Sequence, residues 1–374
     1  VLKWITIVIL VAGVTTVMAD DRQDLLNSVG IKPENGMRGQ MDKVGYVTTA
    51  AQMDSVLAQS RTLARARAKE LAAKGIATDA AFAAAVCPHD DYYYASRLYA
   101  LVTPHIKAKT VILFGVFHKA KAFDWRDKLV FDSFDKWRGP YGPVAVSPLR
   151  SDLIAQLPKD DFTVNNDMQQ VEHSVEGIVP WLQANNRDVE IVSILVPYMR
   201  WETMSKLSAD VSTVLANIMK ERGLALGRDV AIISSSDAVH YGDAGWGGSN
   251  HAEFGTTPDG YEKAVARDRK MMEDKLSGNV REQALKDFLY SCVDSKDVTQ
   301  YKITWCGRFS IPFGLNVASQ VNNALIAAPL KGTMLDYGTS LSEVSLDLDK
   351  IPGLGTTAPN NLHHWVGYPA IGYW

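Results

Sequence analysis

The chain has 374 residues, of which 47% are hydrophobic and 22% charged, and its formal net charge is −3. That length and apolar content suffice for one large core or two smaller ones. The near-neutral balance gives no electrostatic case for nucleic acid, and the basic stretch 61–74 reads as the solvated face of an alanine-rich helix.

Lys3 precedes an apolar run from Trp4 to Met18, followed by Ala19-Asp20-Asp21. A positive residue, an apolar stretch of that length and a small residue before a polar start describe a secretory signal peptide over residues 1–19. An uncleaved anchor is the alternative. Cleavage implies an exported chain, periplasmic or extracellular, with no stable membrane insertion afterwards. Cys87, Cys292 and Cys306 are odd in number, so at least one thiol stays unpaired or binds something, and a metal would protect it.

Residues 20–43 are polar and glycine-rich and read as a linker or surface wrap. Tyr46 to Thr49 is a short strand candidate. Ala50 to Lys74 is strongly helical, with Gly75 as its stop. An apolar strand over 81–86 follows, then a helix over 95–102 that ends before Pro104. Thr110 to Val116 is a second buried strand, and 123–144 reads as hairpins or loops. A short helix is expected at 153–157. A longer one over 171–185 would carry Glu172, His173 and Glu176 in its first turns.

Asp188 to Val196 is a strand stopped by Pro197, Glu202 to Arg222 a helix, and Val230 to Ser235 a third buried strand. The glycine-rich stretch 241–260 is a candidate lid or pocket rim. Helices over 261–276, 281–290 and 311–327 and closing strands over 333–340 and 367–373 complete the chain. Helices alternating with buried strands predict an α/β fold: one three-layer αβα domain over 44–374 with a central mixed, largely parallel sheet.

Three of the eight histidines close apolar strands. The first strand runs into Cys87-Pro88-His89-Asp90-Asp91, the second into His118, and the third into Asp237-Ala238-Val239-His240. In open α/β sheets, ligands bind outside the carboxyl ends of the strands, so one shared pocket is expected. Imidazole suits zinc, copper and iron, and a thiolate such as Cys306 would complete a soft site. His173 and Glu176, three apart, would share a helix face. They are candidates for ligands, for substrate contacts, or for a solvated helix start. No H-E-x-x-H, C-x-x-C, phosphate loop or G-x-S-x-G elbow is present.

Cys87 to Tyr94, Phe114-Gly115-Val116-Phe117-His118, Glu172-His173-Ser174-Val175-Glu176, Ser235 to Gly242 and Cys306-Gly307-Arg308 follow one another in the order found in the Memo family. The chain resembles that family, whose bacterial members are called AmmeMemoRadiSam system protein B, over residues 44–374. The family fold is similar to class III extradiol ring-cleaving dioxygenases. The resemblance implies a metal-dependent oxidoreductase, with His89, His118 and Cys306 holding Fe(II), zinc or copper being open alternatives. It also implies His240 as acid/base with Asp237 beside it, and His173 lining the pocket. Glu176, Asp90, Asp91, Tyr92 and Arg308 complete the expected pocket around a small-molecule substrate. The departure lies at Asp90-Asp91, where the family usually has alanine-glycine. A zinc or copper hydrolase, a metal-handling protein, and a non-catalytic binding protein on the same fold are the rival readings.

Overall fold

The computed structural model describes residues 21–77, 79–244, 250–342 and 344–374. The expected signal peptide and the centre of the expected lid, 245–249, lie outside the described residues. No helix of the described residues is long and apolar enough to cross a membrane.

The helices, in chain order, are α1 (Ala50–Ala73), α2 (Tyr92–Val102), α3 (Leu149–Gln156), α4 (Asn166–Gln170), α5 (Val179–Asn185), α6 (Trp201–Arg222), α7 (Pro258–Met271), α8 (Glu282–Cys292) and α9 (Ser310–Ile326). The strands are β1 (Met37–Arg38), β2 (Ala84–Cys87), β3 (Thr110–Val116), β4 (Leu129–Phe131), β5 (Lys136–Trp137), β6 (Val144–Val146), β7 (Phe162–Val164), β8 (Glu190–Val196), β9 (Val230–Ser235), β10 (His240–Gly242), β11 (Gly278–Asn279), β12 (Lys331–Thr339), β13 (Asn360–Asn361) and β14 (His364–Tyr373).

They form one mixed sheet in the order β1-β5-β6-β8-β3-β9-β2-β14-β12-β11. Its middle, β8-β3-β9-β2, is parallel throughout. Beyond β2 the long strand β14 runs antiparallel, and β12 pairs antiparallel with it. Successive side chains of a strand point to opposite faces, and the central strands use both. Val111 and Leu113 enter one core with Ala85, Cys87, Ala231 and Ile233. Ile112 and Phe114 enter the other with Ala84, Val86 and Ile232. The first core includes side chains of α1 and α2, and the second those of α6 and α9. A strand covered on both faces is apolar at nearly every position, which is why these segments read as apolar runs, broken by buried Ser193 in β8 and Ser234 and Ser235 in β9.

The expected helix over 171–185 forms only at its end, as α5; residues 171–178 are turns that follow the short helix α4. The Glu172 carboxylate accepts the backbone N–H groups of His173 and Ser174, at 2.9 and 3.0 Å. Such local side-chain bonds compete with helix formation. Pro180, in the first turn of α5, starts the next helix. The expected strand at Tyr46–Thr49 does not form: Tyr46 and Val47 are buried, and Thr49 is the N-cap of α1, with Gln52 completing a capping box.

The segment before α1 is pinned to the domain. Residues 21–28 are helical, β1 pairs with β5, and Arg38 is fully buried. The Arg38 guanidinium lies 4.2 Å over the Trp137 ring and bonds the carbonyl oxygens of Gln169 and Glu172 and the carboxylate of Glu176.

Candidate metal centre at the strand ends

The parallel strands β2, β3 and β9 end side by side, and the residues just past their carboxyl ends converge. His89 follows β2 by two residues, His118 follows β3 by two, and Asp237 follows β9 by two. Cys306 comes from the other side of the chain. Residues 304–306 lie along 238–240 as a short antiparallel pair: His240 N–H donates to Thr304 O at 3.0 Å and Cys306 N–H to Ala238 O at 3.0 Å. Gly307 permits this approach, since a Cβ there would sit 2.1 Å from Ser236 Oγ.

His89 is fully buried. Its Nδ1 lies 2.7 Å from Ser235 Oγ, whose own hydroxyl donates to Ser174 O. Ser235 has one hydrogen and has given it away, so it accepts from His89 Nδ1–H. The Nε2 lone pair of His89 therefore faces Cys306 Sγ at 3.4 Å and Asp237 Oδ2 at 3.2 Å. Burial, with His118 next, pulls the His89 pKa well below its ordinary value, so the ring is neutral.

His118 repeats the arrangement with a stronger partner. Its Nδ1 bonds Glu172 Oε1 at 2.8 Å, its backbone N–H donates to Glu172 Oε2 at 2.7 Å, and its Nε2 meets Cys306 Sγ at 2.8 Å. Burial opposes charge on His118, but Cys306 and Glu172 outweigh it and hold the pKa well above the usual value. Burial likewise opposes charge on Glu172, yet chiefly His118 depresses that carboxyl to about 2. The loop carrying Glu172 reaches β3 because Gly115 has no side chain: a Cβ would lie 2.6 Å from Val175 and 2.9 Å from Ser174 Oγ.

His173 stacks on His118 with ring centroids 4.7 Å apart and stands edge-on to His89 at 5.6 Å. Burial and then the His118 charge bring its pKa down to about 3. Ligating atoms of His89, His118 and His173 lie within 4.8 Å of one another, as do those of His89, Asp237 and Cys306. His240 begins β10, opposite Val366. Burial, followed by the charges of His118 and Arg308, keeps it neutral at pH 7. A cleft of about 470 Å³ reaches His118 from solvent, with Lys119 and Lys121 on one wall and Asp21 and Asp24 on the other.

Several expected pocket residues point elsewhere. Tyr92 is fully buried, donates to Gly177 O at 2.6 Å and packs among Tyr46, Tyr99 and Trp181, so it belongs to the core. Glu176 faces the N-terminal segment: it pairs with Arg38 at 2.5 Å and accepts the N–H groups of Met41 and Asp42. Asp91 holds the loop before β13 by accepting from Thr357 Oγ1 at 2.9 Å and Ala358 N–H at 2.8 Å.

Asp90 stays near the site. It accepts from Tyr368 OH at 2.8 Å, and burial, then Asp91, raises it to about 7. Burial and then Asp90 also raise Asp237 well above the carboxylate range. Both Asp237 oxygens reach His89, Oδ1 at its backbone N–H at 2.9 Å and Oδ2 at Nε2 at 3.2 Å. Cys87 is buried in the first core, and burial pushes its thiol up. All three cysteines are free. Ser235 and Arg38 were not singled out by the sequence. Ser235 was legible as the last residue of its strand and the first of the Ser235–Gly242 motif, though not as a partner of His89, and Arg38 carried no signal.

Fold and site together define an α/β protein whose parallel strands end in a buried cluster of imidazole, thiol and carboxyl groups. A family model described as Memo-like protein matches residues 51–356, and the chain belongs to the Memo family. A MEMO1 family protein of Pyrococcus abyssi is 27% identical over 279 residues, covering 72% of this chain and 84% of that protein. One of Pyrococcus furiosus is 26% identical over 283 residues, with the same two coverages of 72% and 84%. One of Archaeoglobus fulgidus is 30% identical over 166 residues, 44% of this chain and 58% of that protein.

Proposed function

We propose that this chain is a metal-dependent oxidoreductase resembling class III extradiol dioxygenases, with Fe(II) held by His89 Nε2, His118 Nε2 and Cys306 Sγ and a small molecule as substrate. One observation carries the reading: each imidazole has its Nδ1 engaged, His89 by Ser235 and His118 by Glu172, while both Nε2 atoms turn to Cys306. Metal-ligating histidines characteristically hand the other ring N–H to such a partner. Two donors sharing a first-row ion at angles near 90–110° stand roughly 3.1–3.6 Å apart for nitrogen and sulfur. The His89–Cys306 separation of 3.4 Å fits, while the 2.8 Å between His118 and Cys306 is shorter than that range, so these two donors would move apart to admit a cation.

Bound iron would supply a redox centre with coordination positions left for substrate and oxygen. The protein's own contribution is in the surrounding groups. Neutral His240 can take a proton from a bound substrate. His173, also neutral, offers hydrogen bonding at the mouth. The interior position of His89 keeps bulk water from that side.

A second reading has its own support. Asp237 Oδ2 faces the same point as His89 Nε2 and Cys306 Sγ. With Asp237 as a fourth donor the site would be closed and tetrahedral, as zinc prefers in structural positions, and the chain would handle or store zinc or copper.

Anaerobic reconstitution followed by metal analysis separates the two readings. The oxidoreductase reading expects about one iron per chain with a ferrous–nitrosyl signal on adding nitric oxide, both lost in His89→Ala. Stoichiometric zinc that resists exchange, with Asp237→Ala weakening it as much as His118→Ala does, favours the second. Absence of iron binding together with an unaltered His89→Ala protein sinks the first.

A further inference from the structure

Arg308 lies two residues after Cys306, on the turn that pairs with the start of β10. Its guanidinium is half-buried and lies 3.8 Å over the Tyr301 ring, with Phe309 at 5.5 Å. Stacking of this kind fixes the plane of the fork. Nη1 donates to Trp305 O at 2.6 Å, which fixes its rotation. The opposite edge remains: Nε is buried without a hydrogen-bond partner. Among the described residues no carboxylate pairs with Arg308, whereas Arg38, Arg97, Arg150 and Arg267 each have one; half-buried Arg138 also lacks one and also has a buried, unpartnered Nε. A buried donor without a partner costs free energy, and a rigidly held guanidinium whose Nε–H lacks a partner has the geometry to donate two parallel hydrogen bonds to a planar oxyanion.

The fork stands beside the candidate site, since it holds the carbonyl of Trp305, which lies between Thr304 and Cys306 and pairs with Val239. Besides burial and His118, the Arg308 charge acts on His240, and after burial it acts on His251. Tyr301, on which Arg308 stacks, also lies under Lys121 Nζ at 6.0 Å. Lys121 and Lys119 line the cleft that reaches His118. Two lysines and two aspartates, Asp21 and Asp24, share that cleft, and Arg308 lies beyond it on Tyr301.

Deepening the functional reading above, we infer that the substrate carries an oxyanion, a carboxylate or a phosphate, remote from its reacting group, and that the Nε–Nη2 edge of Arg308 binds it. Arg308 fixes its orientation, while Lys119 and Lys121 are balanced in the cleft by Asp21 and Asp24. Arg308 is thus the specificity-determining residue of the site, and neutral analogues of the substrate are excluded.

The test titrates acetate, inorganic phosphate and neutral acetamide into the full chain, stripped of metal and again after metal loading, and follows binding by the Arg side-chain Nε–H resonances and by thermal shift. One of the two anions is expected to bind and to perturb the Arg308 Nε–H, with acetamide inert. Which anion wins separates a carboxylate substrate from a phosphate one. Arg308→Met should weaken binding at least about tenfold in both metal states, because hydrogen bonds to a charged group are lost. Arg308→Lys keeps the charge but not the fork and should recover only a small part of it; it also serves if the Met variant fails to fold. Arg281→Met, at an exposed position at the start of α8, should leave binding unchanged. The inference is overturned if neither anion binds, if acetamide binds as well as acetate, or if the Lys and Met variants bind like the parent. Binding in the metal-free chain stands apart from the metal question, so failure of one reading does not conceal failure of the other.

Discussion

Ser235 contributes one hydroxyl to the site, and that hydroxyl decides which nitrogen of His89 faces inward. Its hydrogen goes to Ser174 O, so its lone pair must receive His89 Nδ1–H. Glu172 does the same for His118 with a full charge. Loss of either partner frees the ring to take the other tautomer or to rotate. Ser235→Ala and Glu172→Gln are each expected to cut metal affinity by roughly 10–100-fold while leaving the far-ultraviolet spectrum unchanged. Calorimetric titration of the metal checks this. Affinity equal to the parent's in both variants would mean that the imidazoles are oriented by something else.

At the scale of elements, the turn between α4 and α5 carries the weight of the site, and Arg38 holds it. The guanidinium satisfies the Gln169 and Glu172 carbonyl oxygens and the Glu176 carboxylate, all away from water. Removing one member of a buried ion pair leaves the other charge uncompensated. Arg38→Met should therefore lower stability by about 3–5 kcal/mol in urea unfolding. The double variant Arg38→Met/Glu176→Leu should recover part of that loss.

A second element-scale effect is visible at the turn after α2. There the His105 ring stacks on Phe82 with centroids 4.4 Å apart, and Nδ1 donates to Ala80 O at 3.0 Å. Burial first pulls the His105 pKa down in the folded chain. The unfolded chain then takes up a proton that the folded one refuses. Stability from this group is complete above about pH 6.5 and declines as the pH falls below it. Urea unfolding at pH 7.5 and 5.5 should show a smaller decline in His105→Gln than in the parent.

At the scale of the whole molecule, the chain before α1 and the body of the domain form one unit. Val29 sits in the first core, β1 joins the sheet, Arg38 reaches the centre, and Asp21 and Asp24 line the cleft to His118. Deletion of residues 1–43 should therefore lower the melting temperature and weaken metal binding together. A deletion that leaves both unchanged would reduce this segment to an ornament of the surface.

Much of the architecture was legible in the residues themselves. Thr110–Val116 and Val230–Ser235 are apolar at nearly every position because both faces of a central parallel strand are covered, and each ends in a polar cluster where the cover stops. That local logic located His89, His118 and Asp237 just past strand ends, whereas His240, expected to close the third strand, begins β10; the ordered motifs joined Cys306 to them. The failures share a cause as well. Tyr92, Glu176 and Asp91 adjoin site residues in sequence, but a side chain's direction depends on what packs against it. Tyr92 finds an aromatic core, Glu176 an arginine 138 residues away, and Asp91 a loop 266 residues away. The 171–178 turn failed as a helix because its breaking agents are Glu172's own bonds and a distant guanidinium.

What the sequence by itself determined is the alternation of buried strands and helices, the family, and the kinds of side chain available for chemistry, since these follow from local periodicity and residue type. Only the tertiary structure decided that Ser235 and Glu172 engage the imidazole Nδ1 atoms, that Asp237 contacts His89, and that Arg308 has a buried Nε without a partner. Hydrogen-bond partners and unpaired donors are properties of three-dimensional neighbours, brought together across long loops, and no spacing along the chain records them.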